Sequence, residues 1–169
     1  NNALKPDAKP QTNQEPQVST VVAALGNGYV VASAGARGRT TKDTNGIYTG
    51  KAPAGLVDLK AGIRYLKFND KRMPGDAKKI ISNGTSAGGA MSALLGATGN
   101  NKDYESYLKK IGAAKATDDV FAVSAYCPIT NLDHADMAYE WQFYGINSYK
   151  KGEPFGDGNS QEQTLSQEQ

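Results

Sequence analysis

The sequence of 169 residues contains a single cysteine, Cys127, and a single histidine, His134. One cysteine excludes an internal disulfide framework and a cysteine-built metal site. Its place in an apolar run reads as a buried structural thiol. Long hydrophobic stretches are also missing: none approaches the roughly 20 residues that a membrane span needs. Nor is one sign of charge in excess, since 19 Lys+Arg stand against 17 Asp+Glu for a formal +2. The basic residues are scattered, and the pairs Lys78-Lys79, Lys109-Lys110 and Lys150-Lys151 fall near predicted element ends. That pattern is a solvated surface and argues against a nucleic-acid partner. The first 16 residues are polar and contain Pro6, Pro10 and Pro16, with no signal-peptide pattern. The expectation is therefore a cytoplasmic protein that binds neither nucleic acid nor membrane.

What is present is an alternation of apolar strands and amphipathic helices. Val18, Val21, Val22 and Leu25 share one face of a short helix that Gly26 should stop. Residues 29–34 (Tyr-Val-Val-Ala-Ser-Ala) are too short for a helix and read as a strand buried on both faces. A loop rich in Gly, Thr and Arg covers residues 35–50. Pro53 then opens a helix at a position where its missing N–H costs nothing, and Leu56, Leu59, Ile63 and Leu66 repeat at helical spacing. Ile80-Ile81 leads into Gly84, and an Ala/Met/Leu helix resumes after Ser86 until Gly96 and Gly99. A surface helix over 103–111, a buried strand over 120–126 and a short helix near 135–143 follow. This order predicts an α/β fold, a parallel sheet with helices on both faces. Residues 1–150 are expected to form this α/β domain, and 151–169, with Ser-Gln-Glu-Gln twice, a polar segment with little to bury.

The chemistry concentrates at Gly84-Thr85-Ser86-Ala87-Gly88. Gly-x-Ser-x-Gly is a weak pattern unless it follows a strand and opens a helix, and here it does both. A serine on a sharp strand-to-helix turn adopts strained backbone angles. Gly84 and Gly88 would remove side chains that collide, and Gly89 would let the helix approach the sheet. The helix N-terminus presents backbone N–H groups to a developing oxyanion, with that of Ala87 the first donor. A glycine-rich phosphate loop is the competing reading, but the Lys-Ser/Thr pair and the dinucleotide spacing are both absent.

A nucleophilic serine requires a histidine base and an orienting acid, which in this fold follow in the order Ser, acid, His. His134, in Asn131-Leu132-Asp133-His134-Ala135-Asp136, comes directly after the first strand beyond the serine helix, which is too early for the base. Its place past a strand's carboxyl end suits pocket lining, with Asp133 and Asp136 beside it; helix capping and ordinary packing are the bland alternatives. The second oxyanion donor normally comes from a glycine-rich loop after an earlier strand, and Gly35-Ala36-Arg37-Gly38 is a poor substitute.

With those residues in place, the chain resembles the bacterial tannases, the tannin acyl hydrolases. The matching stretches run from Gly28 to Thr40, from Met73-Pro74-Gly75-Asp76 to Asn83-Gly84-Thr85-Ser86-Ala87-Gly88-Gly89, through 118–129, and through His134-Ala135-Asp136-Met137-Ala138-Tyr139-Glu140-Trp141-Gln142-Phe143. Fungal tannases and related feruloyl esterases carry a cysteine directly before the serine, where this chain has Thr85. The resemblance implies an α/β-hydrolase fold and hydrolysis of galloyl esters, small-molecule substrates, with release of gallic acid and with no metal and no organic cofactor, and it maps the family's serine onto Ser86. It also implies that residues 1–150 are the central part of a catalytic domain and that 151–169 lead towards a lid or C-terminal part. The acid, the histidine and the lid residues would lie in that portion, without a counterpart here, so the isolated chain is expected to be inactive. A feruloyl-type esterase or a serine peptidase on the same scaffold remains open at this point, as does a non-catalytic binding module.

Overall fold

In the computed structural model the described residues are 19–134, with 137, 141, 144, 145, 148–151 and 161–164 beyond them. They fall into two compact units divided after Ile129.

The first unit is built on four α-helices and a short parallel sheet. Helix α1 spans Thr20–Gly26. Gly26 is its last helical residue, and Asn27 closes it through a side-chain amide bond to the Ala23 carbonyl at 2.8 Å. Helix α2 spans Ala54–Phe68, with Pro53 at its N-cap rather than inside its first turn. Leu56 and Ile63 of α2, with Leu59 beside them, meet Leu95, Met91 and Leu94 of helix α3, Ala87–Ala97. Burying each such aliphatic side chain contributes about 1.5–3 kcal/mol, and this contact is the core of the unit. Helix α4, Glu105–Lys110, adds the fully buried Leu108.

Strand β1, Ile81–Thr85, pairs in parallel with β2, Ala122–Tyr126, in register from Ile81↔Ala122 to Thr85↔Tyr126. Parallel neighbours need a crossover, and here it carries α3 and α4. Ser82 is buried and donates its hydroxyl to the Ser92 carbonyl of α3 at 3.3 Å, so one sheet face lies on that helix. Ile81, Asn83 and Thr85 alternate with it and are exposed.

Several expectations require correction. Residues 29–34 form no strand: Val30 is 54% and Val31 38% exposed. The segment does approach α2, where a β-carbon on Gly62 would lie 3.2 Å from the Ala34 methyl. A strand, however, exists only through a ladder to a neighbour, and among the described residues none pairs with it. Helix α3 does end between Gly96 and Gly99, as expected, but Gly96 sits within its last turn, where the Val123 side chain, 2.5 Å from where a β-carbon would be, leaves room only for hydrogen. Cys127 is exposed, because it lies one residue past the end of β2 where the chain turns. The helix expected near 135–143 falls mostly outside the described residues. In the second unit Ser148–Lys151 (β3) and Gln161–Thr164 (β4) form an antiparallel pair. A backbone ladder needs no apolar pattern, so nothing in these polar residues announced it.

A charge cluster that the sequence reading missed ties α2 to the loops around it. Lys60 is 0% and Asp118 1% exposed, and they pair at 2.8 Å. Arg64, one turn later on α2, donates Nε to the other Asp118 oxygen at 2.8 Å and also pairs with Glu105. Lys60 Nζ reaches the Thr98 carbonyl at the end of α3 at 2.5 Å. Asn100 closes the group reciprocally: its N–H donates to Asp118 at 2.8 Å, and its side-chain oxygen accepts from the Asp118 N–H at 2.9 Å. A buried ion left without its partner costs several kcal/mol; here every member has one.

Candidate active site

The turn between β1 and α3 is made by Ser86, whose backbone sits at φ 58° and ψ −117°. A non-glycine residue at positive φ is strained, and this one is fixed from three sides. Its N–H extends the β1–β2 ladder by donating to the Tyr126 carbonyl at 2.9 Å. Its own carbonyl accepts from the Ala90 N–H at 3.0 Å, as the N-cap of α3. Gly84, two residues earlier, makes the close approach possible, because a β-carbon there would overlap the Gly88 carbonyl and lie 2.9 Å from Ser92 Oγ. Gly89 does the same on the other side, where a β-carbon would meet the Tyr126 oxygen at 2.6 Å. Gly88 was expected to be required as well, but open space surrounds its missing side chain. It is the backbone of Gly88, pressed on Gly84, that makes the turn tight.

The result is a serine that is exposed at the carboxyl end of β1, with no hydrogen bond to its hydroxyl among the described residues of its unit. It makes no side-chain cap, so the first-turn N–H groups of α3, beginning with Ala87, have no intrahelical acceptor. They carry the positive end of the helix dipole. An exposed hydroxyl beside free, electropositive N–H groups suits attack on an acyl carbon with stabilisation of the oxyanion.

The loop offered as a poor second donor has two of its N–H groups, those of Arg37 and Gly38, already engaged. The Arg37 N–H donates to Asp58 Oδ2 at 2.8 Å, and the Gly38 N–H to Thr41 Oγ1 at 3.0 Å. The Arg37 guanidinium also embraces the Asp58 carboxylate, at 2.7 Å for the shortest contact, which fastens the loop to α2. Hydrogen bonding to Asp58 raises the Arg37 pKa.

His134 and Asp133 belong to the second unit and are exposed. The His134 N–H donates to Asn131 Oδ1 at 3.2 Å, and its carbonyl accepts from the Met137 N–H at 3.2 Å. Its ring makes no hydrogen bond with the described residues of that unit. Asp136, singled out with them, lies outside the described residues. Among the described residues no three His, Cys, Asp or Glu side chains gather as a metal site, and no helix is long and apolar enough to cross a membrane.

This geometry agrees with what the chain is similar to. The family described as BD-FAE matches residues 7–166. The chain belongs to the BD-FAE family, with an α/β-hydrolase fold. A tannase from Fusobacterium nucleatum is 54% identical, with a TM-score of 0.74 over 94% of this chain and 36% of its own. The tannin acyl hydrolase of Lactobacillus plantarum is 56% identical, with a TM-score of 0.71 over 95% and 34%. A tannin acyl hydrolase in complex with ethyl gallate is 54% identical, with a TM-score of 0.70 over 90% and 34%. Esterase LipC of Mycobacterium tuberculosis is 34% identical over 71 residues, 42% of this chain and 17% of that protein. The chain thus spans about a third of the length of the tannases it matches.

The residues that sequence reasoning missed are Tyr126 and Cys127, at the end of β2. Tyr126 acts through a backbone carbonyl, which no side-chain motif reveals.

Proposed function

We propose that the full-length protein containing this chain is a serine esterase that cleaves galloyl esters and releases gallic acid. The observation that carries the reading is Ser86, exposed at φ 58° between β1 and α3. Ser86 attacks the ester carbonyl, the Ala87 N–H holds the oxyanion, and the alcohol leaves to give an acyl-enzyme that water then hydrolyses. The base and its acid come from outside residues 1–169, and His134 is not the base. The galloyl preference rests on the similarity to the tannases, one of which is in complex with ethyl gallate.

The test uses the full-length protein on methyl gallate and methyl benzoate. A site that hydrogen-bonds phenolic hydroxyls rejects an analogue lacking them by about 10⁴–10⁵-fold in kcat/KM. Equal values for the two esters would remove the galloyl assignment while leaving the esterase. Ser86→Ala should lower kcat by about 10⁶-fold, and a variant that keeps a tenth of the activity would remove the nucleophile.

A further inference from the structure

Two non-glycine residues with left-handed backbones stand side by side at the ends of the paired strands: Ser86 at φ 58° after β1, and Cys127 at φ 44° after β2. The strands end level, with Thr85 opposite Tyr126. Cys127 is the more unusual of the two. Like Ser86 it carries a β-carbon, and it also precedes Pro128, where the proline ring steers the preceding residue towards extended backbone. Neither preference is followed.

The turn places the Tyr126 carbonyl oxygen at the centre of the elbow. That oxygen accepts the Ser86 N–H at 2.9 Å and lies 2.6 Å from where a β-carbon on Gly89 would be. The Pro128 α-carbon is 3.2 Å from the same point on Gly89. Residues 126 and 128 therefore both bear on the first turn of α3, and the φ of Cys127 sets the direction of the chain between them.

We propose that the Tyr126-Cys127-Pro128 turn is a positioning element for the nucleophile, and that Cys127 is a positioning residue acting through its backbone rather than its thiol. This rests on the reading of Ser86 as nucleophile. A β-branched residue at 127 resists left-handed angles; relaxing to negative φ rotates the peptide after Tyr126 and withdraws the acceptor from the Ser86 N–H. Glycine adopts positive φ freely, so it should keep the turn although it also lacks the thiol.

The experiment compares Cys127→Gly, Cys127→Ala, Cys127→Val and Ser86→Ala in the full-length protein. It measures kcat and KM on methyl gallate, the rate of covalent labelling by a fluorophosphonate, and Tm. Cys127→Gly should stay within about threefold of the parent in kcat and labelling. Cys127→Val should lose about 10²-fold in both, as expected for a displaced reacting group, with KM within about twofold because substrate binding is untouched. Cys127→Ala should fall between them, and it carries the comparison with Gly if the Val variant does not fold. Equal kcat for the folded Gly, Ala and Val variants, whatever their Tm, overturns the proposal. Equal losses in all three overturn it too, by assigning the role to the thiol. If Ser86→Ala is inactive while Cys127→Val is normal, only the positioning role fails; an active Ser86→Ala removes the nucleophile itself.

Discussion

The two ends of α3 are built on opposite principles. At its N-terminus Ser86 is exposed, its backbone is strained, and the first-turn N–H groups are left without intrahelical acceptors. At its C-terminus Thr98 returns its hydroxyl to the Leu94 carbonyl at 2.6 Å, and the buried Lys60 ammonium lies on the Thr98 carbonyl. A cation there complements the negative end of the helix dipole, and Asp118 neutralises that cation in turn. One end is over-determined and the other is left available. The lesson is that the strained end persists because the opposite end and the sheet hold the helix in place.

That contrast predicts separable effects. The largest is Ser86→Ala, with its loss of about 10⁶-fold in kcat; Tm should not fall, since the hydroxyl makes no hydrogen bond among the described residues of its unit. A large drop in Tm would show that the available end is structural after all. Next comes Asp118→Ala, which strands Lys60 and Arg64 in a buried site and should destabilise by about 3–5 kcal/mol, read by urea unfolding of the full-length protein. The kcat of the remaining folded enzyme should stay within about threefold of the parent, because sites that share no partners act independently. An abolished kcat in folded Asp118→Ala would break the separation between the two ends.

Acid should weaken the same end. Burial raises the Asp118 pKa, but hydrogen bonds from Lys60, the Asn100 N–H and Arg64 outweigh it and hold the carboxyl below its ordinary 3.8. A carboxylate lowered in the folded state contributes its full stability above the unfolded value and loses it as pH falls through the folded one. Tm should therefore decline below about pH 4, with a shallower decline in Asp118→Ala; parallel curves would show that the cluster is not the acid-sensitive element. The smallest effect belongs to His134→Ala, which should leave kcat within about threefold. A loss of several orders of magnitude would make His134 the base and return the triad to this chain.

Much of this was legible in the sequence where side-chain pattern and structure coincide. The spacing of Leu56, Leu59 and Ile63 announced α2, and Gly84 through Gly89 between an apolar pair and an Ala/Met/Leu run announced the serine turn. What escaped were features decided by partners distant in the chain. Residues 29–34 have strand composition but, among the described residues, no ladder. Lys60 and Arg64 looked like solvated charges on an amphipathic helix until Asp118, more than 50 positions away, is placed between them. The position of Gly88 shows the converse error: a glycine in the right motif place need not be there for space.

The hydrogen bond from the Ser86 N–H to the Tyr126 carbonyl joins residues far apart in the chain. The order of events during synthesis follows from it. A growing chain that has already made Gly84-Thr85-Ser86-Ala87-Gly88 and wound α3 still lacks the acceptor that completes the turn. Only when the crossover has closed and β2 has docked does the serine receive its final backbone shape, and closing such a loop carries an entropy that local turns do not. The reactive geometry is therefore acquired late, after the scaffold that will shelter it has begun to form.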